Sequence, residues 1–165
     1  HMSSAVAYDS RILKAVEAVN QDQKHLLVQK LISHFGQNLK GKTFAVWGLA
    51  FKPQTDDMRE APAIVIIRAL IAAGAKIRAF DPVAMQEAKR IFGNLEGFIL
   101  CSDEYEALKG ADAMLLITEW RQFRYPDFKR IKAELKEAVI FDGRNQYEPK
   151  ALREMGFTYY GIGRP

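Results

Sequence analysis

From Thr43 to Gly163 the sequence alternates between apolar runs of strand length and segments of helical length, and this alternation constrains the fold more than any other feature. "TFAVWGL", "KIRAF", "FILC", "ADAMLLIT", "AVIFD" and "FTYYGIG" read as strands; "APAIVIIRALIAAG", "MQEAKRIFG", "SDEYEALKG", "YPDFKRIKAELK" and "EPKALREMG" read as the helices between them. Strands separated by helices do not pair as hairpins. Each helix acts as a crossover, so the strands run parallel and both faces of the sheet are covered. The expected fold is therefore α/β, a doubly wound, mostly parallel sheet of Rossmann-like type. Local punctuation agrees: Gly74 closes the first of these helices, Asp81-Pro82 suit a helix cap and first turn, and Ser102 or Asp103 suits the cap of "SDEYEALKG".

One long helix precedes the alternation, from about Ser10 to Phe35, with Ile12, Val16, Val19, Leu27 and Leu31 at helical spacing and Gly36 as its stop. Asn20 and Gln23 fall close to the same stripe, as expected of a partly exposed helix or an interface with another chain or domain. A helix of this length must bury its stripe against something, and part of that partner is expected to lie outside these residues. "GQNLKGK" (36–42) reads as a linker and a domain boundary. His1-Met2-Ser3-Ser4 reads as a cloning scar, so the natural protein is expected to extend upstream.

The 165 residues suffice for one domain with a real core and an appended helix. No apolar run is long enough to cross a membrane and no signal-peptide pattern is present. The single cysteine, Cys101, excludes an internal disulfide and agrees with a reducing, cytoplasmic setting. Net charge is +4, but Lys and Arg are interleaved with Asp and Glu, which gives little support to a nucleic-acid role. A small anionic ligand fits the charge equally well.

In a sheet of this kind ligands gather beyond the carboxyl ends of the strands. The loops expected there carry Lys52, Arg59, Arg121, Arg124 and Arg144, and several cations on one rim suit a phosphate-bearing ligand. The first loop, "GLAFKPQTDDMRE", is neither a G-x-G-x-x-G fingerprint nor a P-loop. Its Asp56 and Asp57 read equally as helix cap and surface ion-pair partners or as parts of a ligand site. Adjacent aspartates rarely point the same way, so a magnesium site is disfavoured and no metal is expected. Asp81 stands where a Rossmann fold places its ribose-binding acid, although Pro82 favours a simple cap. Cys101 reads as an inert, half-buried thiol. His25 and His34 form no ligand cluster, and Trp120 and Phe123 read as packing residues rather than a wall for a base.

"GLAFKPQTDDMREAPA" (48–63) resembles the start of the carboxyl-terminal, UDP-binding domain of the UDP-glucose/GDP-mannose dehydrogenase family. "ITEWRQFR" (117–124) and "FDGRNQYEP" (141–149) agree with it, and "VNQDQ" (19–23) looks like the end of that family's long central helix. The closing "GFTYYGIGRP" is similar to the bacterial UDP-glucose 6-dehydrogenase branch, so the resemblance spans essentially the whole chain. It implies three parts: residues 1–4 as scar, 5–36 as the end of the central linking helix, and 37–165 as the UDP-binding domain. It implies an enzyme that oxidises UDP-glucose to UDP-glucuronate in two NAD-dependent steps. NAD would be held mainly by an amino-terminal domain, and the catalytic cysteine by a G-G-x-C motif that these residues lack; "FILCSDEY" around Cys101 does not match, so no catalytic residue is assigned here. By the same resemblance Phe51, Lys52 and Arg144 contact the nucleotide sugar, Arg59 reaches NAD, and the complete protein forms a homodimer. The alternatives are the same domain of a UDP-N-acetylmannosamine or GDP-mannose dehydrogenase, or a freestanding nucleotide-binding regulatory module.

Overall fold

In the computed structural model, residues 11–164 are described. The scar read at residues 1–4, the start of the linking helix read from residue 5, and the final residue lie outside them. The described part of the chain begins with helix α1 (Arg11–Phe35) and then alternates through β1 (Thr43–Trp47), α2 (Pro62–Ala72), β2 (Lys76–Phe80), α3 (Met85–Phe92), β3 (Phe98–Leu100) and α4 (Glu104–Leu108). It continues with β4 (Ala113–Leu116), a short 3-10 turn (Arg121–Phe123), α5 (Phe128–Glu134), β5 (Val139–Asp142), α6 (Pro149–Glu154) and β6 (Thr158–Gly161). Every strand foreseen from the apolar runs is present.

The strands form one sheet in the order β3-β2-β1-β4-β5-β6, and every neighbouring pair is parallel. The chain steps outward from β1 to β3, crosses back to place β4 beside β1, and steps outward again to β6. Right-handed crossovers therefore put α2 and α3 on one face and α5 and α6 on the other. The central strands β4 and β5 are buried along their whole length, whereas the edge strands β3 and β6 keep partly exposed positions. That is why the central strands read as continuous apolar runs.

The first strand stops at Trp47, earlier than "TFAVWGL" suggests, because the chain turns at Gly48. Gly48 has φ +88, and a Cβ there would lie 2.6 Å from Thr118 Cβ and 2.7 Å from Thr118 N. The ends of β1 and β4 approach so closely that the backbone of one needs the missing side chain of the other. The capping expectations are met in part. Asp103 caps α4 by accepting the Glu106 N–H at 2.7 Å, and Glu106 in turn accepts from Ser102 N. The helix caps expected from Asp56, Asp57 and Asp81 are not found: α2 starts at Ala61-Pro62 and α3 at Ala84, both without a side-chain cap.

Helix α1 divides in two. Leu27 and Leu31 are 3% and 0% exposed and join the core of the α/β domain, beside α2. Its last turn docks on the sheet through Phe35 against Phe44 and through a 2.9 Å hydrogen bond between His34 Nδ1 and the Tyr160 hydroxyl. Ile12, Val16 and Val19, on the same stripe, are 78%, 52% and 56% exposed. Half of the apolar stripe is therefore covered by this domain and half is not.

Replacing Gly48 should unfold the β1–β4 junction before anything else. Gly48→Ala combines a left-handed backbone with contact against main-chain atoms, which together cost on the order of 2–4 kcal/mol. Urea denaturation should show a loss of that size; stability within about 0.5 kcal/mol of the parent would remove the close-approach argument.

Candidate functional site

The loops leaving β1, β2 and β4 meet at the carboxyl edge of the sheet, and a single buried carboxylate joins them. Asp81 Oδ2 accepts the Leu49 and Ala50 N–H groups at 2.7 and 3.1 Å and the Trp120 indole N–H at 3.0 Å. Its Oδ1 accepts Val83 N–H and Ala84 N–H at 2.9 and 2.8 Å. Asp81 is thus neither a ribose ligand nor the cap of α3; it is a bolt through three loops. Thr118 adds a second tie by donating its hydroxyl to the Ala50 carbonyl at 2.6 Å. On the other half of the sheet Asp142, also fully buried, accepts Arg144 N–H, Tyr147 N–H and the Tyr159 hydroxyl at 2.9–3.0 Å.

Between this edge and α1 lies an open groove of about 650 Å³. Phe51, Glu60, Ile117, Arg144 and Ile162 line one side, and Asn20, Gln23, Lys24 and Leu27 of α1 line the other. The two amides that interrupt the apolar stripe of α1 therefore face a cavity. A second hollow, about 790 Å³, lies among Pro53, Pro82, Trp120, Arg121 and Arg124. The rim of cations read from the sequence is thus split: Arg144 belongs to the groove, Arg121 and Arg124 to the hollow. Lys52 and Arg59 are exposed on the loop after β1 and line neither.

Two of these cations, and Lys24 of α1, are held by carboxylates. Asp57 takes the Arg59 guanidinium by hydrogen bonds of 3.0 Å to Nε and 2.8 Å to Nη2, and it also accepts the Arg59 backbone N–H. Of the readings open for Asp57, helix cap, ion-pair partner or part of a ligand site, the structure shows the ion-pair partner: it orients Arg59. The Arg59 hydrogen bonds hold the Asp57 carboxyl below the ordinary 3.8, at about 2. Arg144 donates through Nε and Nη2 to both oxygens of Glu119, the latter at 2.7 Å. Burial pushes the Glu119 carboxyl up, but the Arg144 hydrogen bond and charge outweigh it and the net direction is down. Glu60, one residue beyond Arg59, pairs with Lys24 at 2.8 Å. Glu119 and Lys24 escaped the sequence reading because their partners stand 25 and 36 residues away.

The remaining expectations fall out simply. Trp120 and Phe123 are buried packing residues, with Phe123 5.0 Å from the Trp47 ring centre, so they form no open wall for a base. Cys101 is buried, more so than expected, and burial pushes its thiol up from 9.0. Among the described residues no group of three or more His, Cys, Asp or Glu could hold a metal ion, and no helix is long and apolar enough to cross a membrane. A dinucleotide does not fit here in the Rossmann manner. The turn after β1 lacks the glycine pattern, and the acid at the end of β2 has its oxygens taken by five N–H groups. The Arg59 side chain is 88% exposed and its guanidinium is held by Asp57, so it reaches outward from the loop after β1.

The fold and the carboxyl-edge groove define a Rossmann-like ligand-binding domain. The model of the UDP-glucose/GDP-mannose dehydrogenase family, UDP binding domain, matches residues 45–149, and the chain belongs to that family. It is 47% identical over 161 residues to a UDP-glucose 6-dehydrogenase of Pseudomonas aeruginosa, covering 96% of this chain and 36% of that protein. It is 41% identical over 155 residues to one of Rhizobium meliloti, covering 94% and 35%. Among solved structures, a UDP-glucose dehydrogenase from the hyperthermophilic archaeon Pyrobaculum islandicum superposes with a TM-score of 0.80 at 30% identity, covering 99% of this chain and 35% of that one. The chain thus spans about a third of the length of the curated relatives it matches.

The Asp57–Arg59 pair makes a titration prediction. A carboxyl whose folded-state pKa is depressed contributes above its unfolded value and loses that contribution as pH falls through the folded one. For Asp57 the window runs from 3.8 down to about 2, so Arg59 stays oriented throughout neutral pH. A carbon-13 carboxyl titration should place the Asp57 midpoint near 2, and Arg59→Ala should return it towards 3.8. An Asp57 midpoint indifferent to Arg59→Ala would dissolve the pair.

Proposed function

We propose that this chain is the UDP-binding domain of a cytoplasmic, NAD-dependent UDP-glucose 6-dehydrogenase that oxidises UDP-glucose to UDP-glucuronate in two steps. The observation that carries the proposal is the groove at the carboxyl edge, where Phe51 and Arg144 stand on one wall and polar residues of α1 on the other. In this reading Phe51 supplies an apolar face, and Lys52 a compact cation on the same loop. Arg144 presents a guanidinium held by Glu119 to the nucleotide sugar. The domains upstream supply the catalytic cysteine and most of the NAD site; NAD, when bound there, accepts the hydride. This chain contributes Arg59 towards that cofactor and closes the substrate side of the cleft. It binds and orients; its single cysteine, Cys101, is buried with its thiol pushed up and does not serve as the nucleophile. The exposed stripe of Ile12, Val16 and Val19 belongs to the helix through which the complete enzyme forms its homodimer.

The test compares the two arginines in the full-length enzyme. Arg59→Ala should raise chiefly the KM for NAD. Arg144→Ala should weaken UDP-glucose roughly tenfold or more, the value of a charge-assisted hydrogen bond. Wild-type kinetics in both variants, or losses that follow only the melting temperature, would reduce both side chains to scaffolding.

Titrating the 165-residue chain itself with UDP should show weak binding that falls with added salt, because the phosphate contacts are exposed on the side the upstream domains would cover. Tight binding insensitive to salt would contradict a shared cleft. Mixed with UDP-glucose and NAD, the chain should produce no NADH, and Cys101→Ser should change nothing; NADH formation abolished by that substitution would overturn the assignment.

A further inference from the structure

Lys24 lies on α1 about one turn before the helix enters the core at Leu27, and its ammonium sits 2.8 Å from the carboxylate of Glu60, on the loop after β1. The Lys24 side chain is only 13% exposed, whereas that of Glu60 is 79% exposed. The Lys24 stem is thus packed against the protein, which fixes the direction from which its ammonium meets the exposed carboxylate. Glu60 also has φ +57, a left-handed conformation that a residue with a Cβ adopts at a cost.

The neighbours of Glu60 show what this contact holds. Met58 and Ala61 are buried on either side, so the chain from Met58 to Ala61 forms a bracket anchored at both ends. The two exposed residues between the anchors, Arg59 and Glu60, are each fixed by a separate ion pair. Arg59 is gripped within the loop by Asp57; Glu60 is gripped from outside by α1. Residues of α1 before Lys24 (Val19, Val16 and Ile12) are exposed, and residues after it (Leu27, Val28 and Leu31) are buried. The contact therefore sits where α1 leaves the domain.

We propose that Lys24 is a positioning residue of the ligand cleft. By holding Glu60 in its left-handed conformation it sets the adjacent Arg59 relative to α1, so that the helix and the loop after β1 move as one piece. Any tilt of α1 imposed from upstream is then transmitted to the rim that meets the cofactor. The functional half of this inference rests on the reading of Arg59 given above; the mechanical half does not.

Three variants test it. Lys24→Met keeps the stem and removes the charge, Glu60→Gln keeps the shape, and the double variant Lys24→Glu with Glu60→Lys restores the pair with reversed sign. In the ligand-free 165-residue chain, amides of residues 51–61 should exchange roughly two- to fivefold faster in each single variant and return towards the parent in the reversed pair. Amides of β1 and β4 should not change. In the full-length enzyme, Lys24→Met should raise the KM for NAD, and should add nothing in an Arg59→Ala background because it acts through Arg59. Unchanged loop exchange in Lys24→Met, or effects of Lys24→Met and Arg59→Ala that simply add, overturns the proposal. If Arg59→Ala leaves the KM for NAD untouched, the reading of Arg59 fails, while the exchange data still decide whether the strut exists.

Discussion

Asp81 is a fully buried carboxylate at the end of a central strand, and the carboxyl edge of the sheet is organised around it. Five N–H groups from three loops converge on its two oxygens, one of them an indole from the loop after β4. A buried charge is tolerated only when its acceptor sites are filled, and here the donors belong to the loops that carry Phe51, Lys52 and Glu119. Satisfying the charge and fixing the loops are the same event. Asp142 does for the loop after β5, which carries Arg144, what Asp81 does for the other three. The site is therefore built on two strand-end aspartates, one on each side of the β1–β4 junction, where the direction of winding reverses and where ligands bind in sheets of this type.

On this platform three of the cations are paired with carboxylates. Arg59 with Asp57, Arg144 with Glu119, and Lys24 with Glu60 each place a long, flexible side chain in one geometry before any ligand arrives. Pairing lowers the local positive potential and so weakens long-range attraction for an anion. It also removes part of the ordering that binding would otherwise demand, which favours orientation over raw affinity. That balance agrees with the proposed role, in which this domain orients a nucleotide sugar and the chemistry takes place elsewhere. Helix α1 shares this character. Its last turns are core, its first turns present an uncovered apolar stripe, and Lys24 marks the change between the two regimes.

Much of the fold was legible in the sequence because its signals are local. The period of apolar residues distinguishes strand from helix within a few positions, and strands separated by helices leave little choice but a parallel sheet. Gly48 and Gly74 mark turns because each has a positive φ, a backbone requirement that a single residue can announce. The same alternation of strands and helices placed the loops that carry "GLAFKPQTDDMREAPA" and "FDGRNQYEP" at the carboxyl edge, and the two amides in the apolar stripe of α1 signalled a helix only partly covered by its own domain.

What only the tertiary structure decided is which charge meets which. A carboxylate accepts from whatever donors the fold brings within about 3 Å, and sequence proximity supplies only the nearest of them. Asp57 read as a cap, an ion-pair partner or part of a ligand site, and the choice fell to Arg59 only two residues on. Asp81, before a proline, read as a simple cap, yet three of its five donors come from positions 31 to 39 residues away. Lys24 and Glu60 meet across 36 residues, and Glu119 and Arg144 across 25. The sequence determined the layers, their order along the chain and the edge where a ligand would sit, because backbone periodicity and steric limits act locally. The electrostatics of the site were decided by long-range packing, since pairing follows distance in space.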